Sequence, residues 1–232
     1  MAVFRRLVFA ALCAGLLAGI FATAAHQIGT VPLILEAEQY EKPAPAAGDA
    51  HQHEAVWEPQ NGVERTAYTL LADVLTGIGF ALLLAAGITL RGGDVTWRNG
   101  LFWGLAGFAA FTIAPGLGLP PQLPGTEGAP LAERQLWWLA TVVMTSSALA
   151  LFAFTKRASL AAIGVILIVL PHIYGAPNSP EHASAAPEAL THSFIVAATV
   201  INFLFWVILG ASTGYFYGRL RPTAGYEARA AA

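Results

Sequence analysis

Six histidines and fourteen acidic residues are the groups in this chain whose chemistry suits a metal ion, and they are unevenly spread. His51 and His53 stand two apart in an acidic segment, His172 follows Pro171 at the end of an apolar run, and His192 lies just inside the next one. Cobalt, nickel and zinc in the divalent state accept imidazole and carboxylate donors. Cys13 is the single cysteine and sits within an apolar run, which leaves no thiolate cluster and no disulfide framework. A metal here must be held by nitrogen and oxygen.

Among these residues His172 is the first choice as a ligand. Pro171 on one side and Gly175 and Pro177 on the other restrict its backbone more than that of any loop histidine, which lowers the entropy cost of capture. Proline lacks an N–H and clashes with the preceding turn, so the helix is expected to end at Pro171 and present His172 at the membrane edge. His192 starts the following helix within reach, His51 and His53 are placed to deliver ions from outside, and Asp73 to receive them deeper. Asp73 has a second reading, because a carboxyl inside an apolar helix also finds acceptable partners in Thr69 or Thr76. Protonated imidazole cannot ligate, so binding should weaken on acidification. Glu64-Arg65 and Glu133-Arg134 open two helices with the same charge pair and an aromatic at the same offset. They read as orienting ion pairs that, with Pro171, line the mouth.

The elements that must position these groups are membrane helices. The chain is 56% hydrophobic and 11% charged, against a charged share of about 25% in soluble domains. Apolar runs predict an all-α, polytopic membrane protein, a single membrane domain over residues 1–232. Its helices are expected at about 5–35, 67–90, 99–115, 135–155, 158–172 and 190–218, with an acidic, histidine-bearing outer loop at 36–65. A cleaved signal peptide is the competing reading of the first run, since Ala22-Thr23-Ala24 resembles a cleavage site. Six crossings with the N-terminus inside put nine basic residues on the cytoplasmic side, leaving only Lys42, Arg65 and Arg134 outside. Both termini are then cytoplasmic, and all six histidines fall on the outer side. A net charge of −2 and the absence of any nucleic-acid motif set polyanion binding aside. Neither lysine, Lys42 or Lys156, follows a glycine-rich loop, so no Walker-type nucleotide site exists. The bias of histidine and acidic residues reads as an outer face built for cations, and the chain is not read as an enzyme.

Several stretches carry a resemblance. They are Pro32-Leu33-Ile34-Leu35-Glu36-Ala37-Glu38, Glu64-Arg65-Thr66, Trp103-Gly104-Leu105-Ala106-Gly107-Phe108, Gly118-Leu119-Pro120-Pro121-Gln122-Leu123-Pro124-Gly125, Arg134-Gln135-Leu136-Trp137-Trp138 and Leu170-Pro171-His172. In this order the chain resembles the CbtA family of probable cobalt transporter subunits. The resemblance implies a bacterial inner-membrane protein that serves cobalt supply for cobalamin, with a very small histidine-bearing membrane subunit, CbtB, as partner. Gln122 departs from it, standing where the family pattern implies an acidic residue. Cobalt is then the transported ion, with nickel and zinc as competing cargoes that sequence does not separate. Two other functional classes stay open: a redox membrane protein holding haem between two of His26, His172 and His192, and a structural membrane subunit with no site of its own.

Overall fold

The computed structural model describes residues 2–40, 59–93, 95–177 and 185–220, and every regular element among them is helical. In chain order these are α1 (Ala2–Gly29), α2 (Val31–Glu38), α3 (Val63–Arg91), α4 (Trp97–Phe108), a π-helical turn (Ala109–Ile113), α5 (Ala114–Gly116), α6 (Leu131–Phe154), α7 (Ala158–Tyr174) and α8 (Glu188–Arg219). Four segments, Val3–Gly29, Val63–Arg91, Leu131–Phe154 and Glu188–Arg219, are long and apolar enough to cross a membrane, and Ala158–Tyr174 is a shorter apolar helix. Leucines such as Leu71, Leu75 and Leu83 on α3 are exposed. That much uncovered apolar side chain on a single helix suits lipid as the surrounding solvent.

Proline chemistry explains where the helices depart from the sequence expectation. The first helix, expected as one piece over 5–35, is two, parted at Thr30. Pro32 lies in the first turn of α2, where its missing N–H is harmless, but it cannot donate back to α1, so the first helix stops short of it. The expected helix over 99–115 is unbroken from α4 to α5 but passes through the π turn. Pro115 has no N–H for the carbonyl of Phe111, and the Ala114 N–H bonds Ala109 O, five residues back. The expected stop at Pro171 is corrected: α7 runs through Pro171 to Tyr174. Only one donor is lost near a helix end, and the stop comes instead where Gly175 takes φ 90, a backbone geometry that side chains disfavour.

The described residues fall into two compact units, one of residues 2–23, 69–93, 95–107 and 203–220 and the other of residues 24–40, 59–68, 108–177 and 185–202. The first is built on glycine. On α1, Gly15 and Gly19 lie against the backbones of Ile78 and Val74 of α3, and Gly77 lies against the carbonyl of Gly15. Gly100 and Gly104 of α4 meet Gly210 and Gly214 of α8 backbone to backbone, while Gly107 packs on the ring of Trp206. Helices in lipid gain little from burying apolar area, so such close approach is what holds them together. Arg6 adds a clasp, donating from Nε to the carbonyl of Tyr217 at 2.7 Å and stacking 3.7 Å over its ring, whose hydroxyl meets Thr89 Oγ1 at 2.7 Å.

In the second unit α6 and α7 form a helical hairpin, with Gly164 of α7 seated on the ring of Phe152 of α6. A buried cluster of Ala37, Leu123, Leu190 and Phe194 ties α2, the 117–130 connection and the start of α8 together.

Candidate functional site

The ends of α6 and α7 that converge in the second unit carry four of the sequence-predicted groups, Glu133, Arg134, Pro171 and His172. Trp137, on the second turn of α6, is 6% exposed, and its Nε1–H donates to the carbonyl of Pro171 at 3.2 Å. Its ring stands edge-to-face with the imidazole of His172, centroids 5.9 Å apart at 72°. His172 is half-buried, and its Nε2 is sealed from solvent with no hydrogen-bond partner. The Cη2–Cζ2 edge of the indole is met by the loop after α5, since a Cβ on Gly118 would lie 2.5 Å from Cη2 and 2.8 Å from Ala176 Cβ. Three chain segments therefore meet on one tryptophan beside His172.

One turn before Trp137 and on the same face of α6, Arg134 donates from Nη1 to Gln122 Oε1 at 3.1 Å. Its Nε is buried without an acceptor, and no ion pair to Arg134 occurs among the described residues. Glu133 is exposed, so the sequence-adjacent pair Glu133-Arg134 does not close on itself. Gln122, where the resemblance implied an acidic residue, is the group that meets the guanidinium.

The other expected site residues are placed as follows. Arg65 donates at 2.6 Å both to Glu38 Oε1 and to Asn61 Oδ1, so its ion pair joins α3 to α2. Glu64 accepts from the backbone N–H of Gln60 at 3.1 Å. Asp73, in the first unit, accepts from Thr23 Oγ1 of α1 at 2.8 Å and not from Thr69 or Thr76. His192 is exposed on α8, and His26 Nδ1 lies 2.8 Å from Thr30 Oγ1. His51 and His53 lie outside the described residues. Among the described residues no three histidine, cysteine, aspartate or glutamate side chains come together as a ready-made cage.

A family model described as a probable cobalt transporter subunit, CbtA, matches residues 4–218. The chain belongs to the CbtA family. No curated protein and no solved structure matches it. The family and the long apolar helices make this CbtA chain a multi-pass membrane protein and a subunit in cobalt transport.

Trp137 and Trp138 are adjacent in sequence, and the fold gives them different surroundings. Trp138 is exposed and pairs with Phe111 at 6.1 Å, whereas Trp137 is buried against Pro171. The readable signal was the three-residue spacing from Arg134, which puts Trp137 on the face that a polar residue already holds inward. A cleft of about 380 Å³ runs beside the π turn, lined mostly by apolar groups with Thr112, Thr199 and Asn202 as its polar residues.

Proposed function

We propose that this CbtA-family chain captures divalent cobalt on the outer face of the bacterial inner membrane through imidazole and carboxyl donors, His172 first among them. One observation supports this above the rest: the His172 Nε2 is enclosed beside Trp137 and has no hydrogen-bond partner. A sealed nitrogen without a partner costs about 1–3 kcal/mol, and a cation bound to its lone pair would remove that cost. His192 is the second donor in this reading, His51 and His53 deliver ions to it, and Asp73 receives them further in. Glu64, Arg65, Glu133, Arg134 and Pro171 shape the mouth. The whole chain, 1–232, acts as one membrane domain, nickel and zinc compete as cargoes, and a small histidine-bearing subunit of the CbtB type is the partner.

Six crossings with both termini inside complete the reading. Helical backbone from Trp97 to Gly116 covers roughly 20 residues, or about 30 Å at 1.5 Å per residue. Ala158–Tyr174, with 17 residues, reaches about 25 Å. Both add to the four longer helices. On a Cys13→Ala background, Glu127→Cys should react with a membrane-impermeant thiol reagent in intact cells and Lys156→Cys only after permeabilisation. The reverse labelling would invert the chain and remove His172 from the outer face.

The site itself is tested by His172→Ala. Cobalt affinity of the purified protein and cobalt uptake by cells that carry its partner should each fall by about 10-fold or more, the scale of losing one imidazole ligand, about 1.4 kcal/mol per tenfold. Wild-type affinity and uptake in His172→Ala would overturn the proposal.

A further inference from the structure

The geometry points to Trp137 as the positioning residue of His172, doing for this imidazole what an acceptor does in most metal sites. The inference rests on the reading of His172 as a cobalt ligand and adds how that ligand is held. A ligating histidine normally donates its second N–H to a carboxylate or carbonyl, which fixes the ring's tautomer and direction. His172 has no such partner among the described residues: with Nε2 as the ligand the second N–H is on Nδ1, and no hydrogen bond involves the ring. The ring's direction is therefore set by packing, and the ring packed on it is Trp137, at 5.9 Å and 72°.

The same tryptophan also fixes the backbone that carries His172. The end of α7 is a weak place, because Pro171 brings no N–H and the last carbonyls of a helix have no intrahelical donors. The carbonyl of Pro171, one residue before His172, accepts from Gly175 N at 3.1 Å and from Trp137 Nε1 at 3.2 Å. A buried indole N–H needs an acceptor, so this bond fixes the tryptophan's orientation as well as the carbonyl's. The benzo edge of the indole is met by the loop after α5, where a Cβ at Gly118 would lie 2.5 Å from Cη2, so there is no room on that edge for the ring to shift. One buried side chain thus locks the main chain before His172 and the ring of His172 together.

The test uses the full-length protein in lipid nanodiscs with cobalt or zinc as the sole probe. Trp137→Phe keeps an aromatic ring against the imidazole but deletes the N–H, and Gly118→Ala keeps the N–H but pushes on the indole. Each should weaken cobalt binding about 10-fold by calorimetry, the usual size of losing an outer-shell support. The optical readout is one that a general loss of stability would not produce. Divalent cobalt has d–d transitions that quench a neighbouring indole, whereas closed-shell zinc does not. Cobalt should quench a saturable part of the wild-type tryptophan fluorescence, and that part should vanish in both Trp137→Phe and His172→Ala, with zinc causing none. If Trp137→Phe and Gly118→Ala bind cobalt as tightly as wild type while His172→Ala does not, the positioning role is wrong and the His172 site stands. If His172→Ala itself binds normally, the site reading fails first.

Discussion

Gly210→Val is expected to leave little or no folded protein in the membrane, with a loss of more than about 4 kcal/mol, the range reserved for severe overpacking. The reason is that all three atoms nearest a new Cβ at Gly210 belong to backbone: Gly100 O at 2.5 Å, Gly104 Cα at 2.7 Å and Gly104 N at 2.8 Å. A flexible side chain gives way cheaply, but a backbone carbonyl moves only with its helix. α4 and α8 would therefore have to separate along a seam where Gly100, Gly104, Gly210 and Gly214 all interlock. Trp206 would be disturbed in turn, since it packs on Gly107 and stands 4.7 Å from Phe80. Gly79→Ala is the control, because Gly79 is an exposed helical glycine with nothing within 4 Å of the added carbon. It should stabilise α3 by about 0.5–1 kcal/mol. Recovery from membranes and the unfolding midpoint in detergent decide the matter. A Gly210→Val protein as stable as Gly79→Ala would mean that α4 and α8 do not meet at these glycines.

The helices themselves were legible in the sequence because an apolar run of membrane length has few other fates, and each of the six expected runs is helical over most of its length, the first broken at Thr30. Their ends were less legible. Proline was read as a stop at Pro171, but at a helix end its cost is one missing donor, and the stop came four residues later, where Gly175 takes a positive φ. The partners of polar groups were least legible, because spacing reveals neighbours on one helix and not across two. Arg134 was read against Glu133 and meets Gln122, and Arg65 was read against Glu64 and meets Glu38. Trp137 could be placed on a helix face from sequence, but what covers that face is the loop at Gly118, which only the fold brings there.

Asp73 is the sharpest instance, and it carries the last prediction. Thr69 and Thr76 are its helical neighbours, yet its partner is Thr23. The glycine contacts explain why. Gly15 lies at Ile78 and Gly19 at Val74, so numbers fall along α3 as they rise along α1, and the next turn of α1 brings Thr23 beside the turn of α3 that ends at Asp73, within reach of its carboxyl. The Thr23 hydroxyl has one proton and two acceptors in reach, Asp73 Oδ2 at 2.8 Å and Gly19 O at 3.0 Å. This makes the pair asymmetric. Thr23→Val leaves the carboxyl with no hydrogen-bond donor among the described residues, and should cost about 1–3 kcal/mol. Asp73→Leu leaves Thr23 bonded to Gly19 and should be near neutral, as should the double variant, so a mutant cycle should return a coupling close to the whole Thr23→Val loss. Function is then read on a protein known to fold. In the proposed route Asp73 receives cobalt beyond the mouth, so Asp73→Leu should keep its unfolding midpoint and lose most cobalt uptake, while His172-dependent binding at equilibrium is unchanged. Uptake at the wild-type rate by Asp73→Leu would make Asp73 an interhelical hydrogen-bond acceptor and nothing more.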